Sequence, residues 1–176
     1  MSRLAKYPQS LLLLSCLATS LLWSEAVDAS FQLRAQQETT STPAGTIRGT
    51  SLRGHWLASP GVPLGNGWFL RPGAEGAYGR FERGSREQRF WEAGGLGQLN
   101  YPGESVGFYV QGGLSYINMA NRDDTVGAIF TSNDVVSQVE VGIRVHEGMR
   151  LDLGYRYRRY HDQNLSTRGF VLGLSF

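Results

Sequence analysis

The chain has 176 residues, enough for one domain, and combines 23 glycines with only 18% charged residues, a balance that favours strands and turns over helices. A net charge of +2 supplies no field for nucleic acid, so none is expected as a partner. The single cysteine, Cys16, excludes a disulfide-stapled domain, and beyond the N-terminal region no stretch stays apolar for the ~18 residues of a membrane helix.

Residues 1–29 read as an export signal. Arg3 and Lys6 form its basic start, residues 11–22 its apolar run, and Val27-Asp28-Ala29 a small-residue cleavage site. Roughly a dozen apolar residues fall short of the ~20 that cross a membrane as a helix. Leu13-Leu14-Ser15 ahead of Cys16 leaves a lipoprotein signal as the rival, although that cysteine sits inside the apolar run and not at its end. Residues 30–176 then form the mature domain.

Eight strands are predicted in that domain. The first, residues 31–37, is weak and leads into a polar linker over 38–43. Residues 45–57 place Leu52 and Trp56 on one face and Ser51, Arg53 and His55 on the other; Ser59-Pro60-Gly61 and Gly65-Asn66-Gly67 mark turns. Residues 68–81 set Leu70, Pro72, Ala74 and Tyr78 against Arg71, Gly73, Glu75 and Ala77, and a charged loop follows at 83–87. Residues 88–101 oppose Trp91, Ala93 and Leu99 to Glu92, Gln98 and Asn100, before a tight turn at Pro102-Gly103-Glu104. Residues 106–117 oppose Phe108, Val110, Leu114 and Tyr116 to Tyr109, Gln111, Gly113 and Ser115. A long polar loop over 118–133 leads into residues 134–146, with Val139, Val141, Ile143 and Val145 against Gln138, Glu140, Gly142, Arg144 and His146.

Glu147-Gly148 links this strand to the C-terminal hairpin, where the period of two is cleanest. Met149, Leu151, Leu153, Tyr155 and Tyr157 share one face, and Arg150, Asp152, Gly154, Arg156 and Arg158 the other. After a loop at 160–166, Phe170, Leu172, Leu174 and Phe176 point away from Val171, Gly173 and Ser175. Strands that alternate apolar and charged residues, ending on a terminal Phe, are the pattern of a membrane barrel with lipid outside and a polar lumen. The expectation is an all-β, eight-stranded antiparallel up-and-down transmembrane β-barrel in an outer membrane. Arg53, Arg71, Glu75, Glu92, Glu140, Arg144, Arg150, Asp152, Arg156 and Arg158 then face inward as a paired polar core, because eight strands enclose only enough space for side chains. A soluble lipocalin-like barrel, with the apolar face inside, is the alternative that periodicity alone leaves open. Short links at 102–104 and 147–148 would be periplasmic, and the 118–133 and 160–166 loops external.

Several motifs carry little chemistry. His55, His146 and His161 are far apart and none has a ligand neighbour at metal spacing, so no metal or other cofactor is expected. Gly94-Gly95-Leu96-Gly97 lies within a strand pattern with no helix after it, unlike a phosphate loop. Arg122-Asp123-Asp124 offers too few ligands for calcium.

The run YRRYHDQNL at 157–165, preceded by FYVQGGLSY and VEVGIRVHEGMRLDLGYRY, resembles the outer-membrane lipid A 3-O-deacylases. In that family a strand runs into a His-x-Ser-Asn motif, and a Glu follows about ten residues before the C-terminus. The resemblance implies an eight-stranded barrel whose Ser, His and Glu face lipid at the outer rim. His161 matches the base and Asn164 the Asn behind the nucleophile, but Gln163 stands at the nucleophile position and Ser166 near the acid position. Gln offers no oxygen for a histidine to activate, and Ser cannot stabilise an imidazolium as a carboxylate does. A rebuilt triad would take Ser166 as nucleophile and Asp162 as acid. Arg159, of opposite parity to Arg156 and Arg158, is the candidate for lipopolysaccharide phosphates, with Asn164 beside it. The sequence thus leads to a small outer-membrane barrel, structural or surface-binding, with outer-membrane lipid and lipopolysaccharide as partners; the alternative is a deacylase acting on an ester-linked acyl chain.

Overall fold

The computed structural model describes residues 29–59, 61–120, 129–130, 133–145 and 150–175. The signal region up to residue 28, His146, the 147–148 link and Phe176 lie outside the described residues. Strands β1 (Ala29–Thr42), β2 (Gly45–Ala58), β4 (Trp68–Arg83), β5 (Arg86–Tyr101), β6 (Val106–Ala120), β7 (Asn133–Val145), β8 (Arg150–Tyr160) and β9 (Leu165–Ser175) form one antiparallel sheet. Pairing of β1 with β9 and of β2 with β4 closes it, so no barrel strand is left with an open edge. The extra strand β3 (Val62–Gly65) is a short arm hydrogen-bonded to the start of β4, across the turn at Gly65-Asn66-Gly67.

Two expected connections are strand instead. The polar segment 38–43 extends β1 to Thr42, which pairs directly with Gly45. Its threonines suit a pleated surface, and alternation sends Glu38 into the barrel, where Arg158 receives it. The charged loop at 83–87 contracts to Gly84-Ser85, with Arg83 opposite Arg86 and Gly84 at φ 61°, where a side chain would be strained. Register sets Arg80 opposite Arg89 and Glu82 opposite Glu87 on the outer surface; the same-strand pairs Arg80–Glu82 and Arg89–Glu87 and the diagonal pair Arg80–Glu87 relieve both rows. These two links, at the same end of the barrel, are therefore short, as is the 161–164 turn. The longest connection, residues 121–132, shares this end, which marks it as the external one.

The faces settle which side is greasy. Leu52, Val110, Leu114, Val139, Val141, Ile143, Leu153 and Leu172 are exposed on the outside. Aromatic pairs Trp68–Tyr101 and Phe31–Trp56 gather near the chain-terminus end, and Trp91–Tyr116 nearer the other, as in the two aromatic girdles of a membrane barrel. The lumen holds the charges, opposite to what a lipocalin-like barrel requires. Of the ten side chains expected inside, eight are buried; Arg71 is half-buried, donating to the Ala58 carbonyl at 2.8 Å, and Arg150 is exposed at the strand end.

Five buried arginines and five buried carboxylates form one alternating chain along the lumen. Its order is Arg144–Asp152–Arg34–Glu140–Arg156–Glu75–Arg53–Glu92–Arg158–Glu38. Asn100 accepts from Arg144 at one end (3.1 Å), and Thr167 and Tyr160 donate to Glu38 at the other. Each charge is thereby neutralised by neighbours, which makes burial tolerable. Arg34 and Glu38 belong to this chain although neither was among the expected inward charges. Above it, toward the external end, Ile47, Phe81, Phe90, Ile117, Met119, Phe130, Val136 and Tyr160 pack into an apolar plug. Phe81 stacks on Phe90 at 4.7 Å, and Phe130 is held by two hydrogen bonds between its backbone and the Gln88 side chain. Tyr109 spans the lumen below, its hydroxyl 2.6 Å from Glu140, over Gly142 and Gly154, where an added Cβ would come within 2.4 Å of that oxygen.

Candidate functional site

The residues singled out from the sequence lie on the external rim where β7, β8 and β9 meet. The four-residue turn 161–164 joins β8 to β9, and β7 holds it in place. His161 N–H donates to the Val135 carbonyl (3.0 Å), extending the ladder by one rung. The Asp134 carboxylate then accepts from Asp162 N–H (2.8 Å) and Gln163 N–H (3.3 Å), so one side chain satisfies two turn amides. Asn164 closes the turn in the left-handed region, φ 49°, which Asn tolerates better than most residues.

This backbone sends the His161 ring sideways onto β7. Its Nε2 lies 3.1 Å from Ser137 Oγ. His161 is exposed and Ser137 half-buried on the lipid-facing parity of β7. Ser166 is placed elsewhere: its Oγ lies 2.7 Å from the Tyr157 hydroxyl. Ser137 pairs with Arg159 across one strand boundary and Arg159 with Ser166 across the next, so β8 stands between the two serines. Arg159 donates to the Asn164 side-chain oxygen at 3.3 Å, bringing the two expected binding residues together. Asp162 occupies the turn through its backbone contact with Asp134.

The structure therefore joins His161 to a serine that the motif alignment did not reach. A signal for it exists in the sequence. Beyond the exposed Asn133 at the start of β7, the outward positions Val135, Ser137, Val139, Val141 and Ile143 have Ser137 as their one polar side chain. A hydroxyl within hydrogen-bond reach of an imidazole is the first half of an activated nucleophile. Asp134, which sequence reading also passed over, shapes the turn that aims the ring. Among the described residues, no group of three or more His, Cys, Asp or Glu side chains could hold a metal ion.

Comparison with known proteins agrees with this architecture. No curated protein matches in sequence. Among solved structures, Neisserial surface protein A shares 19% identity over 86% of this chain and 98% of its own, with a TM-score of 0.64. The outer membrane enzyme PagL shares 10% identity over 81% of this chain and 98% of its own, with a TM-score of 0.58. At such identities the likeness is one of fold. The family model for the outer membrane protein beta-barrel domain matches residues 10–176, nearly the whole chain, and with the closed barrel, its apolar exterior and its charged lumen, the protein belongs to that outer-membrane family.

Proposed function

We propose that this barrel is a non-catalytic surface module that binds outer-membrane lipid, lipopolysaccharide above all, at its external rim. The observation that carries the reading is the filled interior. Among the described residues a chain of ten paired charges capped by an apolar plug fills the lumen, which turns the work to the outside. On the external rim, Arg159 and Asn164 offer a cation and an amide to anionic sugar phosphates.

The second reading, a lipid A deacylase, is favoured by one contact, Ser137 Oγ to His161 Nε2. In that reading His161 takes the Ser137 proton as the oxygen attacks an acyl ester. The acyl chain passes to Ser137, the sugar hydroxyl leaves with that proton, and water then releases the fatty acid. Mass spectrometry of lipid A from cells expressing the wild type, His161→Ala, Ser137→Ala and Ser166→Ala separates the two. Unchanged lipid A in all four, with the protein in the outer membrane, is the expected result. Loss of one acyl chain in the wild type but not in His161→Ala overturns the non-catalytic reading, and the serine variants then identify the nucleophile.

A further inference from the structure

The lipid-facing wall over β9, β1, β2 and β4 is unevenly filled. Register lines up two outward rows, Leu172–Ala35–Leu52–Tyr78 and Phe170–Gln37–Thr50–Arg80. Ala35 and Thr50 are short, while Phe170 is 74% exposed on one side and Tyr78 59% on the other. Between these walls runs an open exterior groove of about 1010 Å³. That is the upper range for sites that hold a drug-sized ligand.

The next outward row, two residues or ~7 Å nearer the external end, is Arg168–Thr39–Arg48–Glu82, in which Glu82 is held by Arg80. Arg48 and Arg168 are both exposed, and neither has an ion-pair partner among the described residues. This contrasts with Arg80 and Arg89 nearby, which are paired with Glu82 and Glu87. Beside them a polar recess of about 300 Å³ is lined by Thr39, Ser41, Tyr157, Ser166 and Arg168. At the membrane interface a surface cation costs only about 0–1 kcal/mol and stands at the level of anionic lipid headgroups. A guanidinium matches a phosphate in shape and charge, and hydroxyls match a sugar.

The geometry points to a seat for one phosphorylated, acylated glycolipid of the outer leaflet, with an acyl chain along Ala35, Leu52, Tyr78 and Phe170 and a phosphate between Arg48 and Arg168. This rests on the reading that the barrel works on outer-membrane lipid, and it moves the point of contact from the His161 face to the β9–β1–β2 wall. Thr39, between the two arginines, adds a hydroxyl under the phosphate, and the polar recess receives the sugar.

The test uses the full barrel in detergent micelles, with native mass spectrometry against three probes: bisphosphorylated lipid A, dephosphorylated lipid A and a zwitterionic phospholipid. The wild type is expected to prefer bisphosphorylated lipid A over the dephosphorylated form by about tenfold or more, the scale of charged hydrogen bonds lost. The Arg48→Gln/Arg168→Gln double variant abolishes that preference. Ala35→Phe fills the groove and weakens both lipid A forms, whereas Val110→Phe, adding the same ring to the exposed surface of β6, changes neither. These substitutions point outward, and unchanged heat-shifted gel mobility confirms that each variant is folded. A folded Arg48→Gln/Arg168→Gln barrel that keeps the wild-type preference overturns the seat and leaves the lipid-binding reading standing. A wild type with no preference for lipid A over the zwitterionic lipid overturns both.

Discussion

Arg158 is the sharpest probe of the charged lumen. It is fully buried, donates to Glu38 and to the Tyr160 hydroxyl at 2.8 Å each, and also pairs with Glu92. Arg158→Met keeps much of the packing volume and removes the charge. Glu92 retains Arg53 at 2.8 Å, but Glu38 is left with only hydroxyl donors, Thr167 and Tyr160. Stranding a buried charge in this way costs about 3–5 kcal/mol. Because Arg158 and Glu38 form the last link of the chain, removing both leaves four arginines against four carboxylates. The Arg158→Met/Glu38→Gln double variant is therefore expected within about 1 kcal/mol of the wild type, since well-packed neutral replacements of buried pairs are often near neutral. Urea unfolding in micelles, followed by tryptophan fluorescence, gives the double-mutant cycle. A single variant that costs under about 1 kcal/mol, or a double variant no better than the single, would refute the claim that these charges stabilise one another as a linked chain.

Gly142→Val should be harmful for a different reason. Its Cβ would sit 2.4 Å from both the Tyr109 hydroxyl and the Leu153 carbonyl, so overpacking of about 1–3 kcal/mol or more is expected, read as a lower melting temperature. Asp134→Ala removes the acceptor of two turn amides. Faster hydrogen exchange is expected at Asp162 and Gln163 with little change along β8, and unchanged rates at these amides would remove Asp134 from its role in the turn. In planar bilayers the barrel should not conduct, and Phe130→Ala should not open it, because the charge chain beneath the plug still fills the lumen; discrete channel steps in either protein would contradict the filled interior.

What the sequence made legible was parity. In β8, Arg156 and Arg158 alternate with Tyr155 and Tyr157, and burial follows that alternation residue by residue. Such a pattern declares two faces; the family match and the exposed apolar wall decide that the charged one is inside. Parity failed where chemistry and position conflict. Glu38 lies among threonines that read as a linker, and its inward turn depends on Arg158, 120 residues away. Phe81, Phe90 and Tyr160 look like lipid contacts by composition, yet near the external end the inward positions turn apolar and build the plug. The His161 site was only half visible. The motif pointed along the chain to Gln163 and Ser166, whereas its hydrogen-bonded hydroxyl comes from the adjacent strand, through a pairing that no local motif encodes.

The charge chain also bears on how the barrel is assembled. Strand β1 brings Arg34, whose partners Glu140 and Asp152 are 106 and 118 residues further on, and Glu38, which waits for Arg158 on β8. A sheet with β1 and β9 still apart would carry both a free edge of backbone polar groups and several unneutralised charges, neither of which lipid accepts. Joining the β1–β9 seam removes both defects in one step. Entry into the bilayer is then coupled to the meeting of the barrel's first and last strands, and a fragment lacking β1 would be left outside the membrane however well its other strands pair.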